Sequence, residues 1–423
     1  MKLNFKVYFF TAVILLGSLS PVAAAGWKAH IEGSEFTPES VIAVNKDEQK
    51  MFLLIHKSPI RPVKTFSCST GKIKGDKLVE GDKKTPEGVY FTSGRRTGLK
   101  NYELYGDMAF PLDFPNPVDR IKGKTGYGIW IHGRGKKLVS RDTQGCVAIA
   151  NKNISSLDKD ISAGFPVVIG NTVDWSESGG GNAAEALRFE KIVKSWADSW
   201  KNEQSAFFDY YDAGLFEISE NTSFKAFRKH KERIFKSTPW IDIELFNIKA
   251  LQGPDYWVTW FDQFYRSRNY VSSTNKRLYW QKIGDKWKIV GVEFGPRPSD
   301  LHRKYLDRKT PAIEKFVEDW RESWLSADLE KYLTFYDESV LQGNRKGLAD
   351  IREQKKELWT ERKPSAIKFK TLNIKECPEG FKVSFRQNYK DSSGYEDTGR
   401  KVVVLRPAGE SWRIIEEQWS RLR

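Results

Sequence analysis

Apolar and polar positions alternate along two long stretches of the chain, Trp257 to Trp280 and Phe381 to Leu405. Each is followed by a short segment of similar character, Lys286-Trp287-Lys288-Ile289-Val290 and Ser411-Trp412-Arg413-Ile414-Ile415. A period of two predicts half-buried antiparallel strands joined by polar turns. Ahead of each set lies a stretch of helical period, beginning at Val193 and at Val317. There Trp196 and Trp200, and again Trp320 and Trp324, stand at i and i+4 on one helical face. Both stretches then reach an aromatic Tyr-Asp step, Tyr211-Asp212 and Tyr336-Asp337. Helix, short loop, antiparallel strands and a closing tryptophan strand thus occur twice, which predicts a duplicated α+β module.

Nearer the N-terminus the pattern changes. Gly126 to Ile131 is a glycine-led, largely apolar run that predicts a buried strand entering His132. Gly133 to Lys137 reads as a turn, and Val147-Ala148-Ile149-Ala150 as a second packed segment with Cys146 at the turn before it. A thiol is mostly protonated at neutral pH; its nucleophilic form is favoured by an imidazole that takes the proton and stays as a cation beside the thiolate. His132 and Cys146 are the candidates for these parts. The backbone N–H groups of Gln144, Gly145 and Cys146 are candidate donors to the oxyanion of a tetrahedral intermediate. Glycine at 145 lets the backbone come close.

His132-Gly133, followed after a gap by Thr143-x-Gly145-Cys146 and Asn151, resembles the signature of the L,D-transpeptidase catalytic domain, which acts on bacterial peptidoglycan. Gly81 to Tyr90 and Phe110 to Asn116 carry further matches, so the resemblance spans roughly residues 37 to 170. It implies a mostly-β catalytic domain and an acyl-enzyme mechanism. Cys146 attacks the carbonyl joining meso-diaminopimelate to the terminal D-alanine of a stem tetrapeptide, His132 acts as base and then acid, and the Gly133 carbonyl orients the imidazole. An amine acceptor gives a cross-link by L,D-transpeptidation, the leading expectation; water gives a tripeptide by L,D-carboxypeptidase action, the alternative.

Two positions depart from the family pattern. Members often have a second histidine before the Gly-Cys pair and an arginine two residues after the cysteine, where this chain has Gln144 and Ala148. Candidate substrate-binding residues are therefore sought elsewhere. Arg141 either pairs with a substrate carboxylate or is a solvated loop arginine. Tyr105 and Trp130 either line the cleft or simply pack.

The duplicated module resembles the nuclear transport factor 2-like fold, a helix on a curved sheet that forms a cone. Neither copy carries a carboxylate and histidine constellation, and most of the fifteen tryptophans are expected to fill cores. The modules are expected to position the catalytic domain, bind the wall or mediate association. An L,D-transpeptidase-like domain joined to such a module is similar to the cell-shape L,D-carboxypeptidases, which trim rather than cross-link. The rival from another class is a non-catalytic wall-binding scaffold.

Lys2 and Lys6, the apolar run Val7 to Leu16 and Ala23-Ala24-Ala25 read as a secretory signal peptide cleaved after Ala25. No later stretch reaches transmembrane length, so export to the periplasm or cell wall without a transmembrane anchor in the mature chain is expected. A formal charge of +15 predicts a basic surface. Export argues against nucleic acid and toward envelope polyanions, acidic stem peptides or wall-associated proteins, with dispersed solvated charge as the other reading. Cys68, Cys146 and Cys377 make no disulfide framework, and the five histidines show no metal-ligand spacing. No metal or cofactor is expected. The multidomain order is a signal peptide at 1–25, the catalytic domain at 26–170, a Gly/Ser-rich linker at 171–186, one module at 187–298, a second linker at 299–312 and the other module at 313–423.

Overall fold

A computed structural model describes residues 26–57, 59–177, 180–202 and 205–422; the predicted signal peptide lies outside them. The N-terminal unit runs β1 (Lys28–Glu32), β2 (Ser40–Asn45), β3 (Lys50–His56), β4 (Ile60–Ser69), β5 (Gly88–Phe91), β6 (Arg96–Thr97), α1 (Tyr102–Tyr105), β7 (Met108–Pro111), α2 (Pro117–Ile121), β8 (Trp130–Arg134), β9 (Val147–Ala150), α3 (Asn151–Leu157), β10 (Pro166–Gly170) and β11 (Thr172–Ser176). Nine of these strands form one sheet in the order β5-β10-β2-β3-β4-β9-β8-β7-β6. Successive residues of β2 and β3 enter different cores. Ile42, Val44, Met51 and Leu53 pack on one side, and Val41, Ala43, Phe52 and Leu54 on the other. Burial on both faces explains why these strands read as continuous apolar runs rather than as alternation.

The first module comprises α4 (Gly181–Lys201), α5 (Ala213–Glu220), α6 (Phe224–Ser237), β12 (Ile241–Gln252), β13 (Trp257–Ser267), β14 (Tyr270–Ile283) and β15 (Lys286–Gly295). The second comprises α7 (Leu301–Leu325), α8 (Leu329–Leu333), β16 (Tyr336–Gln342), β17 (Arg345–Lys346), α9 (Gly347–Glu361), β18 (Pro364–Cys377), β19 (Gly380–Asp391), β20 (Glu396–Ala408) and β21 (Ser411–Arg421). In each, four long strands follow one another antiparallel, β12-β13-β14-β15 and β18-β19-β20-β21; β16 and β17 extend the second sheet. The duplication reaches single bonds. Trp196 donates its indole N–H to Tyr211 at 3.3 Å, and Trp320 donates to Tyr336 at 3.1 Å. Both tryptophan pairs are buried, as core positions one helical turn apart should be.

Among the described residues, most of both predicted linkers is regular structure. Residues 172–176 form β11, which pairs in parallel with β1 from Lys28↔Thr172 to Glu32↔Ser176, and α4 begins within the glycine-rich stretch. The Glu32 carboxylate accepts from the amides of Gly180 and Ala183, supplying from another strand the N-terminal cap that the local sequence lacks. Residues 301–312 belong to α7, which continues through Pro311. The basic run is held there by tertiary contacts. Arg308 donates to Glu244 at 2.7 Å, Lys309 pairs with Asp242 at 2.9 Å, and the buried Tyr305 donates to Asp242 at 2.7 Å. Such contacts override a weak local propensity.

The N-terminal unit and the first module are not separate bodies. Val41, Phe91 and Val168 share one core with Leu251, Tyr256, Val258, Tyr279 and Val290. The Tyr256 hydroxyl accepts the Val89 amide at 2.8 Å and the Asn116 side-chain amide at 3.0 Å. Arg277 pairs with Asp113 at 2.9 Å and lies over the Phe91 ring. The module therefore forms the floor beneath the sheet that carries the candidate chemistry.

Candidate active site

His132 and Cys146 come from adjacent parallel strands. β8 and β9 pair Ile131 with Val147 and His132 with Ala148. Carrying that register back one residue sets Cys146, at the foot of β9, beside Trp130. Directly paired residues, and residues two apart on a strand, share a face of a sheet. Imidazole and thiol accordingly line one cleft of about 190 Å³, together with Tyr105, Arg134, Thr143 and Gln144.

The imidazole is held in one tautomer. His132 Nδ1 lies 2.6 Å from the Gly133 carbonyl oxygen. A carbonyl only accepts, so Nδ1 carries the hydrogen and Nε2 keeps its lone pair. Tyr105 meets the imidazole edge-on with ring centroids 5.2 Å apart and packs against Trp130 at 5.8 Å. Burial pushes the His132 pKa down from 6.5 to about 4; the bond to Gly133 opposes the shift and the nearby Arg134 charge adds to it. The Cys146 sulfur is half-buried and donates weakly to the Gly128 carbonyl at 3.4 Å. Desolvation by the cleft walls raises its pKa to about 11, against the backbone N–H of Trp130. Both shifts favour the uncharged thiol and imidazole. The thiolate and imidazolium pair expected from sequence is disfavoured because both charges would stand in a desolvated cleft.

The Cys146 turn is braced by Thr143. Its hydroxyl accepts the Gly145 amide at 3.1 Å and donates to the Cys146 carbonyl at 2.7 Å. The Gly145 N–H, one of the expected oxyanion donors, is therefore already engaged by the Thr143 hydroxyl. No turn or loop bond to another backbone group engages the N–H of Gln144 or Cys146 among the described residues. Gly145 has φ 133°, and a Cβ there would lie 2.9 Å from the Lys84 carbonyl, so both conformation and space demand glycine. Gly133 is as closely packed: a Cβ would meet Asn151 Oδ1 at 2.6 Å and Ile154 at 2.8 Å. Asn151 accepts the Asp107 amide at 2.8 Å, tying the segment behind α1 to α3.

Arg141 turns away from the expected role. Its guanidinium faces Asp47 at 3.6 Å, its amide donates to Gln49 Oε1 at 2.9 Å, and it does not line the cleft. The cleft's cations are Lys72, Arg134 and Lys136. Arg134 pairs with the Asp142 carboxylate and donates to the Asp142 carbonyl at 3.2 Å, while Lys72 lies 3.5 Å from the same carboxylate. Gln49 also escapes sequence reasoning. From the turn after β2 it accepts the amides of Thr70 and Arg141 and donates to the Lys46 carbonyl, fixing the loop that leads to Cys146. Nothing local marks it, since its partners are brought to it by the sheet. Among the described residues no group of three His, Cys, Asp or Glu side chains is placed to hold a metal ion.

Comparison with known families agrees with this architecture. Residues 39–169 match the L,D-transpeptidase catalytic domain. Residues 188–293 and 312–418 each match the Cds6 C-terminal NTF2-like domain, and the two matches together span half of the chain. The chain belongs to this family of proteins, with an L,D-transpeptidase catalytic domain of the peptidoglycan-acting type followed by two NTF2-like domains. Among solved structures it is similar to Bd1075 of Bdellovibrio bacteriovorus, with 28% identity over 64% of this chain and 96% of that one and a TM-score of 0.52. The helical cell shape determining protein Pgp2 of Campylobacter jejuni is also similar, with 26% identity over 60% of this chain and 91% of that one and a TM-score of 0.47. Comparison with curated proteins gives no match. No helix among the described residues is long and apolar enough to cross a membrane.

Proposed function

We propose that the protein is an exported cysteine enzyme that trims peptidoglycan stem tetrapeptides by L,D-carboxypeptidase action. The observation that carries this reading is the one cleft that Cys146 and His132 both line, from adjacent strands. As the substrate carbonyl arrives, the Cys146 thiol passes its proton to His132 Nε2 while the sulfur–carbon bond forms. The amides of Gln144 and Cys146 receive the oxyanion. Collapse breaks the peptide bond, the imidazolium gives its proton to the leaving D-alanine amine, and water then cleaves the thioester by the same steps. Lys72 and Lys136 suit a peptide end rich in carboxylates.

The likeness to cell-shape L,D-carboxypeptidases, which join such a catalytic domain to a nuclear transport factor 2-like module, supports water as the acceptor. The match to an L,D-transpeptidase domain supports the second reading, cross-linking to a neighbouring stem amine. Incubation with purified tetrapeptide muropeptides, read by mass, decides between them. Loss of a single D-alanine is expected; a dimer would replace hydrolysis with transpeptidation. Unchanged turnover by Cys146→Ala would remove the proposed nucleophile.

A further inference from the structure

α6 of the first module carries Lys225, Arg228, Lys229, Lys231, Arg233 and Lys236 against a single carboxylate, Glu232. The duplication supplies an internal control. α9 of the second module precedes the long strands in the same way, and its Lys355 covers Trp324 as Lys231 covers Trp200. Yet α9 bears three Lys or Arg residues, Arg352, Lys355 and Lys356, against four carboxylates, Asp350, Glu353, Glu357 and Glu361. The fold therefore does not require a basic helix at this place, and the charge of α6 is an added property of one copy.

Its arrangement is one-sided. At 100° per residue the exposed Lys225, Arg228, Lys229, Arg233 and Lys236 fall within an arc of about 140° and extend along about 16 Å of helix. Phe224, Phe227 and Phe235 point the other way, into the module core. Among the described residues only Arg228 of the exposed five has a carboxylate partner, Glu232 at 2.8 Å. The depression along this face is lined by α6 residues alone. One convex helix cannot enclose a small ligand or grip a polymer from two sides. Its apolar side is already used, so it cannot sink into hydrocarbon as an amphipathic anchor does. What it can do is lie flat against a plane of negative charge, where each basic side chain near the surface adds attraction.

We propose that the outer face of α6 is an electrostatic docking surface for an anionic phospholipid bilayer. The test is co-sedimentation of the exported chain with phosphatidylcholine vesicles, with and without phosphatidylglycerol. Binding is expected only to the anionic vesicles, and is expected to vanish as salt approaches about 1 M, where the screening length falls to about 3 Å. A variant combining Lys225→Gln, Lys229→Gln, Arg233→Gln and Lys236→Gln should bind more than about tenfold more weakly. It should keep wild-type melting behaviour and turnover of soluble muropeptides, which separates this surface from the proposed chemistry. Equal binding by the variant, indifference to phosphatidylglycerol, or retention on isolated cell wall or polyphosphate with none on vesicles would each overturn the proposal.

Discussion

Arg134, on the strand that carries His132, reaches to Asp142, on the loop that carries Cys146, pairing with its carboxylate and donating to its carbonyl at 3.2 Å. The two halves of the candidate site are thereby joined by a clamp that touches neither reacting atom. Arg134→Gln and Asp142→Asn should each lower kcat by about tenfold with little change in KM, because the distance between thiol and imidazole relaxes. The double variant should be no worse than either single one, since both remove the same tie. Fully additive losses in a double-mutant cycle would mean that the residues act separately.

The pH dependence follows from the buried imidazole. With the His132 pKa lowered from 6.5 to about 4, Nε2 stays available well into the acid range, and kcat/KM should lose its acid limb near pH 4. The unfolded chain takes up the proton first, so the stability that His132 contributes is present above pH 6.5 and is lost as pH falls toward 4. A rate profile with its acid limb near 6.5 would place the imidazole in water instead.

Thr143→Val tests the brace of the nucleophile turn. It keeps the shape and removes a hydroxyl that both accepts from Gly145 and donates to the Cys146 carbonyl. A loss of about 1–3 kcal/mol is expected from the orphaned groups, visible in denaturant unfolding. A lower kcat should accompany it, and Thr143→Ser should restore both.

Tyr256→Phe probes the contact between the first module and the sheet beneath the site. It strips the Val89 amide and the Asn116 side chain of a buried partner, costing about 1–3 kcal/mol. Because the core is shared, unfolding of the N-terminal unit and the first module should remain a single transition. Two separated transitions would show that the shared core does not couple them.

In the second module Glu417 is buried against Lys401 and accepts from Tyr336 at 2.6 Å and Gln342 at 2.8 Å. Glu417→Gln leaves Lys401 without its countercharge, and a loss of about 3–5 kcal/mol is expected. The Glu417 pKa is lowered from 4.5 to about 2, with Lys401 and Lys355 as the opposing charges that overcome its burial. Its contribution is therefore complete above pH 4.5 and is lost as pH falls toward 2, while the Gln variant should lack that component of acid sensitivity. Thermal melts of both proteins across this range provide the measurement.

Sequence by itself determined the elements whose signal is local and periodic. The tryptophans at i and i+4, the alternating strands and the Tyr-Asp step defined the repeat twice over, because a helix face and a strand face are written in consecutive residues. The segment from Trp130 to Cys146 marked the candidate chemistry for a similar reason: tight turns and close strand packing admit few residues besides the glycines found there. Only the tertiary structure decided the rest. The capping of α4 by Glu32, the docking of α7 through Tyr305, Arg308 and Lys309, and the bracing of the Cys146 loop by Gln49 all join residues far apart in the chain. The turning of Arg141 toward Asp47, and the burial that favours the uncharged forms of the thiol and imidazole, depend on packing that no local pattern encodes. A chain's periodicity fixes which faces are apolar, but which faces meet, and how much water they leave around a charge, is set when they pack.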